Sequence, residues 1–299
     1  MKKRFLTGAV ALGAAAALAL TGCSSGGSGD SGSTADGDSK GTVTIGMFNW
    51  DEDIAVTHLW KAVLEDEGYE VEIEAADPGP VFQGLADGDY DTVLDVWLPL
   101  THASYLEKYG DKIVELGAWN DEALLTIAVN ADAPIDSLEE LAANADLFDN
   151  KLVGIEAGAG LTETTENAVI PGYGLEKMDY VISSTPAMLT ELDTAMKAGE
   201  NIAVTLWRPH WAYDAYDLKD LKDPKGTLGE AESLYSYGSS TFKEDFPEVA
   251  EWISNFKMSS DQLHSLENKM FNEYNGDDYE PIIAEWISEN QEYVDSLTA

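Results

Sequence analysis

Residues 42–75, TVTIGMFNWDEDIAVTHLWKAVLEDEGYEVEIEA, contain a strand, a helix and a second strand in succession. The segment Thr42–Met47 is a short apolar run, which predicts a buried strand. Over residues 51–68 the apolar side chains recur with helical spacing, and residues 69–75 alternate between apolar and polar side chains. Strands that alternate with helices indicate an α/β fold, in which we expect a largely parallel sheet.

The alternation of strands and helices continues along the chain. Residues 80–86 suit a short helix, and residues 92–97 (TVLDVW) form another apolar strand. A second α/β unit begins near residue 131, where Ser137 is a predicted helix N-cap. Its further predicted elements are strands at 151–155 and 201–206 and helices at 162–169 and 188–198. After a strand or loop from residue 229, helices are predicted around 247–256, 260–274 and 281–289.

Two α/β units and a helical tail predict a two-lobed protein with a ligand cleft between the lobes. We expect the first lobe at residues 42–130 and the second at 131–228. Residues 229–299 are expected to return to the first lobe and to supply the C-terminal helices. No repeat of 20 to 50 residues is evident in the chain.

The N-terminus resembles a bacterial lipoprotein signal. Three cations at residues 2–4 precede an apolar run over 5–20, and Leu20-Thr21-Gly22-Cys23 follows. This pattern predicts a signal peptide at 1–22 and acylation of Cys23, the only cysteine in the chain. An ordinary cleaved signal with an incidental cysteine is the alternative. Residues 23–41 contain almost no apolar side chains, which predicts a flexible, lipid-anchored linker.

The charge and the motifs exclude several function classes. The chain has 17 basic and 56 acidic residues, so removing the three signal cations leaves 14 − 56 = −42. Such a surface repels nucleic acid, and no nucleic-acid partner is expected. No nucleophile elbow, zinc motif or phosphate loop is present, so we expect neither an enzyme nor a metal or cofactor.

Four segments stand out in the chain: NWDEDIAVTHLW (49–60), DVWLPLTH (95–102), EAGAGL (156–161) and TLWRPHW (205–211). Together they resemble the glycine betaine/proline betaine-binding proteins of ABC importers, and the resemblance extends over about residues 42–290. It implies a periplasmic-binding-protein-like (type II) fold outside the cytoplasm and delivery of an osmoprotectant to membrane permease and ATPase subunits. Choline, carnitine or another amine remains an alternative ligand, and a surface lipoprotein without a transport role is a third class.

Three tryptophans supply a physical reason for this ligand class. Trp50, Trp97 and Trp207 each lie where a predicted strand ends, and strand ends face the crevice of an open α/β sheet. A quaternary ammonium cannot donate hydrogen bonds, whereas indole faces offer it a negative quadrupole and apolar contact. We therefore predict that these three side chains form a cage around the ammonium group.

The carboxylate of the ligand needs a second set of partners. Gly158-Ala159-Gly160-Leu161 has the form of a glycine-rich loop that opens a helix, and free amides at such a point bind anions. The resemblance implies that the amides of Gly160 and Leu161 bind the carboxylate, and that His102 adds a side-chain hydrogen bond. The alternatives are a mere turn for the loop and a structural role for the histidine.

Other aromatic and basic residues have simpler interpretations. Trp60, Trp119, Trp252 and Trp286 lie in helical or connecting patterns and are expected in the core. For Arg208, the only arginine after the signal, we favour an ion pair over contact with a substrate carboxylate. Leu206 stands where glycine often precedes the family tryptophan, which leaves the size of the pocket open.

Overall fold

The computed structural model describes residues 39–274, 276 and 278–299. The predicted signal peptide, Cys23 and all but the last three residues of the predicted linker lie outside the described residues. The strands are β1 (Thr42–Met47), β2 (Glu70–Ala75), β3 (Thr92–Leu98), β4 (Ile113–Asn130), β5 (Lys151–Val153), β6 (Asp179–Val181), β7 (Ala203–Arg208), β8 (Leu218–Asp220) and β9 (Glu232–Ser239).

Helices connect most of these strands. They are α1 (Asp51–Asp66), α2 (Pro78–Asp87), α3 (Ala103–Tyr109), α4 (Leu138–Leu141), α5 (Gly160–Thr164), α6 (Ile170–Tyr173), α7 (Thr185–Ala198), α8 (Ala212–Ala215), α9 (Phe242–Asp245), α10 (Pro247–Asn255), α11 (Ser260–Glu267), α12 (Glu280–Glu289) and α13 (Gln291–Asp295). Short 3₁₀ turns lie at Gly110–Lys112, Ala142–Phe148 and Ser296–Thr298, and π-helical turns at Thr165–Val169 and Asn268–Glu273. As predicted, the side chain of Ser137 caps α4 by accepting a hydrogen bond from the Glu139 amide.

The sheet is mixed, and the prediction of a largely parallel sheet was wrong. Its strand order is β2-β1-β3-β9-β4-β7-β5-β6, and β8 pairs with β4. The pairs β1/β2, β1/β3, β5/β6 and β5/β7 are parallel, whereas β9 and β4 run antiparallel to all their neighbours. No element was predicted over residues 103–130, where register shifts against β9 break the alternation that identifies a strand.

Strand β4 belongs to two groups of strands. Its residues from Ile113 to Ala123 pair with β9, and those from Leu124 to Val129 pair with β7. We call β2, β1, β3, β9 and the first part of β4 the first half-sheet. The second half-sheet consists of the last part of β4 with β7, β5, β6 and β8. Helices α11 and α12 near the C-terminus pack against α1, which follows β1.

Strands β3 and β7 end in the same way, although they lie in different half-sheets. Each carries a tryptophan next to its last residue and is followed by a cis proline, at Leu98-Pro99 and Arg208-Pro209. Leu206, beside Trp207, is buried and does not line the cavity described below, because successive residues of a strand face opposite sides of the sheet.

Tryptophans also supply much of the core. Trp60, Trp119 and Trp286 are buried, and Trp252 is partly buried against the same apolar cluster. All four were predicted in the core, and the prediction is confirmed. Trp60 and Trp119 both contact the ring of Phe256, with ring centroids 5.4 and 5.3 Å apart. None of these four tryptophans lines the cavity described below.

Candidate ligand-binding site

A cavity lies where elements of the first and second half-sheets meet. With its opening it encloses about 280 Å³, which suits a small ligand. Its lining residues are Trp50, Glu52, Trp97, Thr101, His102, Leu125, Ile155, Ala159, Gly160, Leu161 and Trp207. All six residues singled out from the sequence are among them, so the structure brings these distant segments together around one space.

A carboxylate accepts the indole N–H of each of the three tryptophans. Trp207 Nε1 donates to Glu52 Oε2 over 2.8 Å, and Trp97 Nε1 donates to Asp95 Oδ1 over 3.1 Å. Trp50 Nε1 donates to Glu156, whose other oxygen accepts the amide and hydroxyl of Thr185. The three rings are therefore held by directional contacts as well as by packing.

A group of buried acids lies beside these rings. Asp51, Glu52 and Asp53 occupy the first turn of α1 and all three are buried, as are Asp95 and Glu267. Burial raises the pKa of Asp51 to about 6 and that of Asp53 to about 7. The pKa values of Glu52, Asp95 and Glu267 rise well above their usual range, through burial first and neighbouring carboxylates second.

His102 is a neutral hydrogen-bond donor in this site. It is fully buried, and burial lowers its pKa to about 3, so the imidazole carries no charge at neutral pH. The backbone amide of Trp97 donates to His102 Nδ1 over 2.9 Å, which places the imidazole proton on Nε2. Among the described residues, His102 Nε2 has no hydrogen-bond partner. The ring is thus oriented to donate one hydrogen bond from a cavity wall.

Gly160 and Leu161 form the start of a helical segment that continues through the π-helical turn to Tyr173. Ala159 at the N-cap makes no side-chain cap, and the first backbone bond to its carbonyl comes from Glu163. The amides at the first turn consequently remain available for an anion. A Cβ on Gly160 would lie 2.1 Å from the Thr101 carbonyl oxygen, so only glycine allows this close approach.

Arg208 and Trp211 do not line the cavity. Arg208 Nε pairs with Asp220 Oδ2 over 2.6 Å, and its guanidinium lies 3.5 Å from the ring centre of Tyr213. The favoured interpretation of Arg208 as an ion-pair residue is confirmed. Trp211 Nε1 donates to Asp51, and neither of these two residues lines the cavity. Neither residue is therefore part of the candidate site.

Over residues 41–289 the sequence matches the family OpuAC, described as the substrate binding domain of ABC-type glycine betaine transport systems. The chain belongs to this family. It is therefore a substrate-binding domain of an ABC importer and not an enzyme, and such a domain works outside the cytoplasm. No helix among residues 39–274, 276 and 278–299 is long and apolar enough to cross a membrane.

Several OpuAC-type relatives are similar to this chain. The glycine betaine/carnitine transport binding protein GbuC of Listeria monocytogenes is 34% identical over 168 residues, which are 56% of this chain and about half (54%) of GbuC. Lactococcal OpuAC, in a closed conformation with glycine betaine, has a TM-score of 0.80 at 29% identity and covers 86% of this chain and 99% of its own. Borrelia burgdorferi ProX reaches 0.78 at 36% identity, covering 85% and 95%. The type II binding-protein fold expected from the sequence is thereby confirmed.

The acidic partners of the three tryptophans in this OpuAC-type domain were not predicted from the sequence. Glu52 and Glu156 were quoted only as members of the segments 49–60 and 156–161, with no role assigned to either. Asp95 was quoted only as the first residue of the segment 95–102, and no role was assigned to four residues that line the cavity: Thr101, Leu125, Ile155 and Ala159. No local pattern distinguishes Glu52 and Glu156 among 56 carboxylates, because their indole partners come from distant segments. No cluster of potential metal ligands occurs within the described part of the chain.

Proposed function

We propose that the protein captures glycine betaine, or a closely related quaternary-ammonium zwitterion, in this cavity and delivers it to an ABC importer. The observation that carries the proposal is the meeting of Trp50, Trp97 and Trp207 around one small space. Each desolvated cation–π contact contributes up to ~2 kcal/mol. Three of them supply a large share of the roughly 8.2 kcal/mol that corresponds to micromolar affinity.

The opposite end of the ligand is held by neutral donors. In this proposal the amides of Gly160 and Leu161 bind the carboxylate, and His102 donates to it from Nε2. The absence of any hydrogen-bond partner for His102 Nε2 among the described residues supports this role. Choline has no carboxylate and would leave these donors unpaired, which costs binding free energy. The zwitterion is therefore the preferred ligand, and choline is the weaker second candidate.

Binding is coupled to closure of two lobes in this proposal. The first lobe comprises residues 42–130 and 229–299 and the second residues 131–228, with β4 shared between the half-sheets. Trp50, Trp97 and His102 contact the ligand from one lobe, and Gly160, Leu161 and Trp207 from the other. Because the zwitterion has two different ends, full closure requires both groups of residues, and ligand shifts the population toward the closed form.

The protein is further proposed to act from the membrane surface. Acylation of Cys23 would anchor it, and the linker of residues 23–41 would let the domain reach the permease. The chain contains no phosphate-loop motif, so the energy for transport comes from separate ATPase subunits. Metabolic labelling with a fatty-acid analogue tests the anchor, since a Cys23→Ser variant should remain unlabelled.

The ligand assignment is tested by titrating the purified chain without residues 1–23. Binding of glycine betaine, choline and an uncharged sugar is measured in parallel by intrinsic tryptophan fluorescence and by calorimetry. We expect saturable binding of betaine in the micromolar range, choline at least about tenfold weaker, and no response to the sugar. If neither fluorescence nor calorimetry detects binding of glycine betaine, the proposed ligand class is refuted.

A further inference from the structure

Two indole–carboxylate hydrogen bonds cross the cavity in opposite directions. Trp50 follows β1 in the first half-sheet and donates to Glu156, which follows β5 in the second. Trp207 lies in β7 of the second half-sheet and donates over 2.8 Å to Glu52 in α1, beside the first. Each half-sheet thus supplies one indole and one carboxylate, so the two bonds form a reciprocal pair.

Two more hydrogen bonds cross between the same groups of elements. Trp211 donates to Asp51 in α1, and the Tyr105 hydroxyl in α3 donates to the Gly158 carbonyl over 2.8 Å. None of these four residues lines the cavity. Contacts that join the half-sheets without touching the ligand space hold the two sides together.

Other indole hydrogen bonds stay within one group of elements. Trp97 donates to Asp95 in its own strand, and Trp286 of α12 donates to Ser265 of the neighbouring helix α11 over 3.2 Å. Hydrogen bonds between the two half-sheets are therefore made by particular tryptophans and not by every tryptophan in the described residues. The Trp286–Ser265 bond is a natural control for it.

The crossing bonds depend on the two sides being together. Glu52 is 2% exposed and Glu156 is 8% exposed, and a buried carboxylate without a partner is costly. When the half-sheets separate, water replaces the hydrogen bonds of these carboxylates and indoles, so no buried polar group is left without a partner. An indole has a positive edge and negative faces. A carboxylate bound at the N–H therefore turns the positive edge away from an ammonium ligand and leaves a negative face toward it.

We propose that the reciprocal bonds Trp50–Glu156 and Trp207–Glu52 form a latch that closes the domain over its ligand and sets the orientation of the cage indoles. Glu52 and Glu156 are thus positioning residues for ligand retention. The identity of the ligand rests on the proposed function, whereas the latch itself rests on the contacts between the half-sheets.

The test compares Glu52→Leu with the unaltered chain by stopped-flow tryptophan fluorescence. Removing the acceptor should raise the dissociation rate of glycine betaine about tenfold or more, because the latch exists only in the closed form. The association rate should stay within about twofold, since encounter takes place with the open form. Glu52→Gln keeps an oxygen acceptor and should recover part of the retention.

A second measurement separates the latch from a merely structural role. The urea midpoint of the ligand-free chain should change little in Glu52→Leu, because removing one acid from a crowded buried group offsets the lost acceptor of Trp207. The control Ser265→Ala removes an indole acceptor outside the cavity and should leave both rates unchanged. A dissociation rate in Glu52→Leu equal to that of the unaltered chain overturns the latch while leaving the proposed ligand intact.

A failure of the proposed ligand would still leave the latch testable. If the unaltered chain binds no betaine, the ligand-free chain and Glu52→Leu are compared by small-angle X-ray scattering. The latch would also hold part of the ligand-free population closed, so a larger radius of gyration in the variant supports it and identical scattering overturns it.

Discussion

Gly160→Ala tests the closed geometry most directly. The added Cβ would lie 2.1 Å from the Thr101 carbonyl oxygen and 2.5 Å from its Cγ2. Ordinary contact begins at 3.4 Å, so the two segments must separate by about 1.3 Å. Thr101 has little freedom to move away, because its amide donates over 3.0 Å to Glu232, which also accepts the Thr101 hydroxyl.

The displacement is large on the scale of the site. Lengthening the 2.8 Å bond between Trp207 and Glu52 by that distance would break it. The ligand carboxylate would lose its bonds to the helix amides, and hydrogen bonds to a charged group contribute about 1.5–3 kcal/mol. We expect glycine betaine to bind Gly160→Ala about 100-fold more weakly, from a loss of about 3 kcal/mol.

Isothermal titration calorimetry measures the affinity, and urea unfolding of the ligand-free chain verifies that the variant is folded. Gly79→Ala is the matched control, because a Cβ there meets nothing within 4 Å and affinity should be unchanged. Binding to Gly160→Ala within about threefold of the unaltered chain would refute the argument, since 0.6 kcal/mol or so is too little for a lost contact of this kind.

Three further predictions concern the cage, the histidine and the buried acids. Trp97→Ala should weaken betaine binding by up to about 30-fold in calorimetry, the equivalent of one desolvated cation–π contact. His102→Ala should weaken betaine about tenfold but choline by less than about twofold, because only betaine has a carboxylate for Nε2. Asp51 has its folded pKa raised to about 6, so its protonated form favours folding. That contribution, about 3 kcal/mol, is complete below about pH 4 and lost as pH rises through 6, so the fall in stability measured by urea unfolding should be smaller by this amount in Asp51→Asn.

Matched variants make these predictions refutable. Trp252→Ala removes a tryptophan outside the cavity and should keep betaine affinity, so equal losses in both tryptophan variants would argue against a cage. His58 also lies outside the cavity and serves as the control for His102. An equal loss of choline and betaine in His102→Ala would contradict a carboxylate contact. For Asp51, parallel stability curves between pH 4 and 6 in the variant and the unaltered chain would contradict the assigned pKa.

Local patterns in the sequence were enough for much of the fold and for one side of the site. The strand and helix at 42–66 follow from apolar spacing, and the tryptophans at the ends of β3 and β7 follow from strand boundaries and from family resemblance. Strand β4 was missed because Gly117 and the shifts around Asn120 interrupt its alternation. Pairing with β9 and β7 stabilises that strand, and such pairing is invisible in a local window.

The acidic partners of the cage could not be predicted for a related reason. Trp50 and Glu156 are 106 residues apart, and Trp207 and Glu52 are 155 residues apart. In a chain with 56 acids, composition favours a solvated surface for each one. Only the folded structure shows which carboxylates are buried and which indole N–H groups donate hydrogen bonds to them.

Strand β4 has a consequence for how the domain melts. Because one continuous strand is hydrogen-bonded to both half-sheets, neither half can lose its strands without exposing an edge of the other. The halves therefore share their stability, and heat should denature them in one cooperative calorimetric transition. For the same reason, either half expressed alone would carry a bare strand edge and would tend to aggregate.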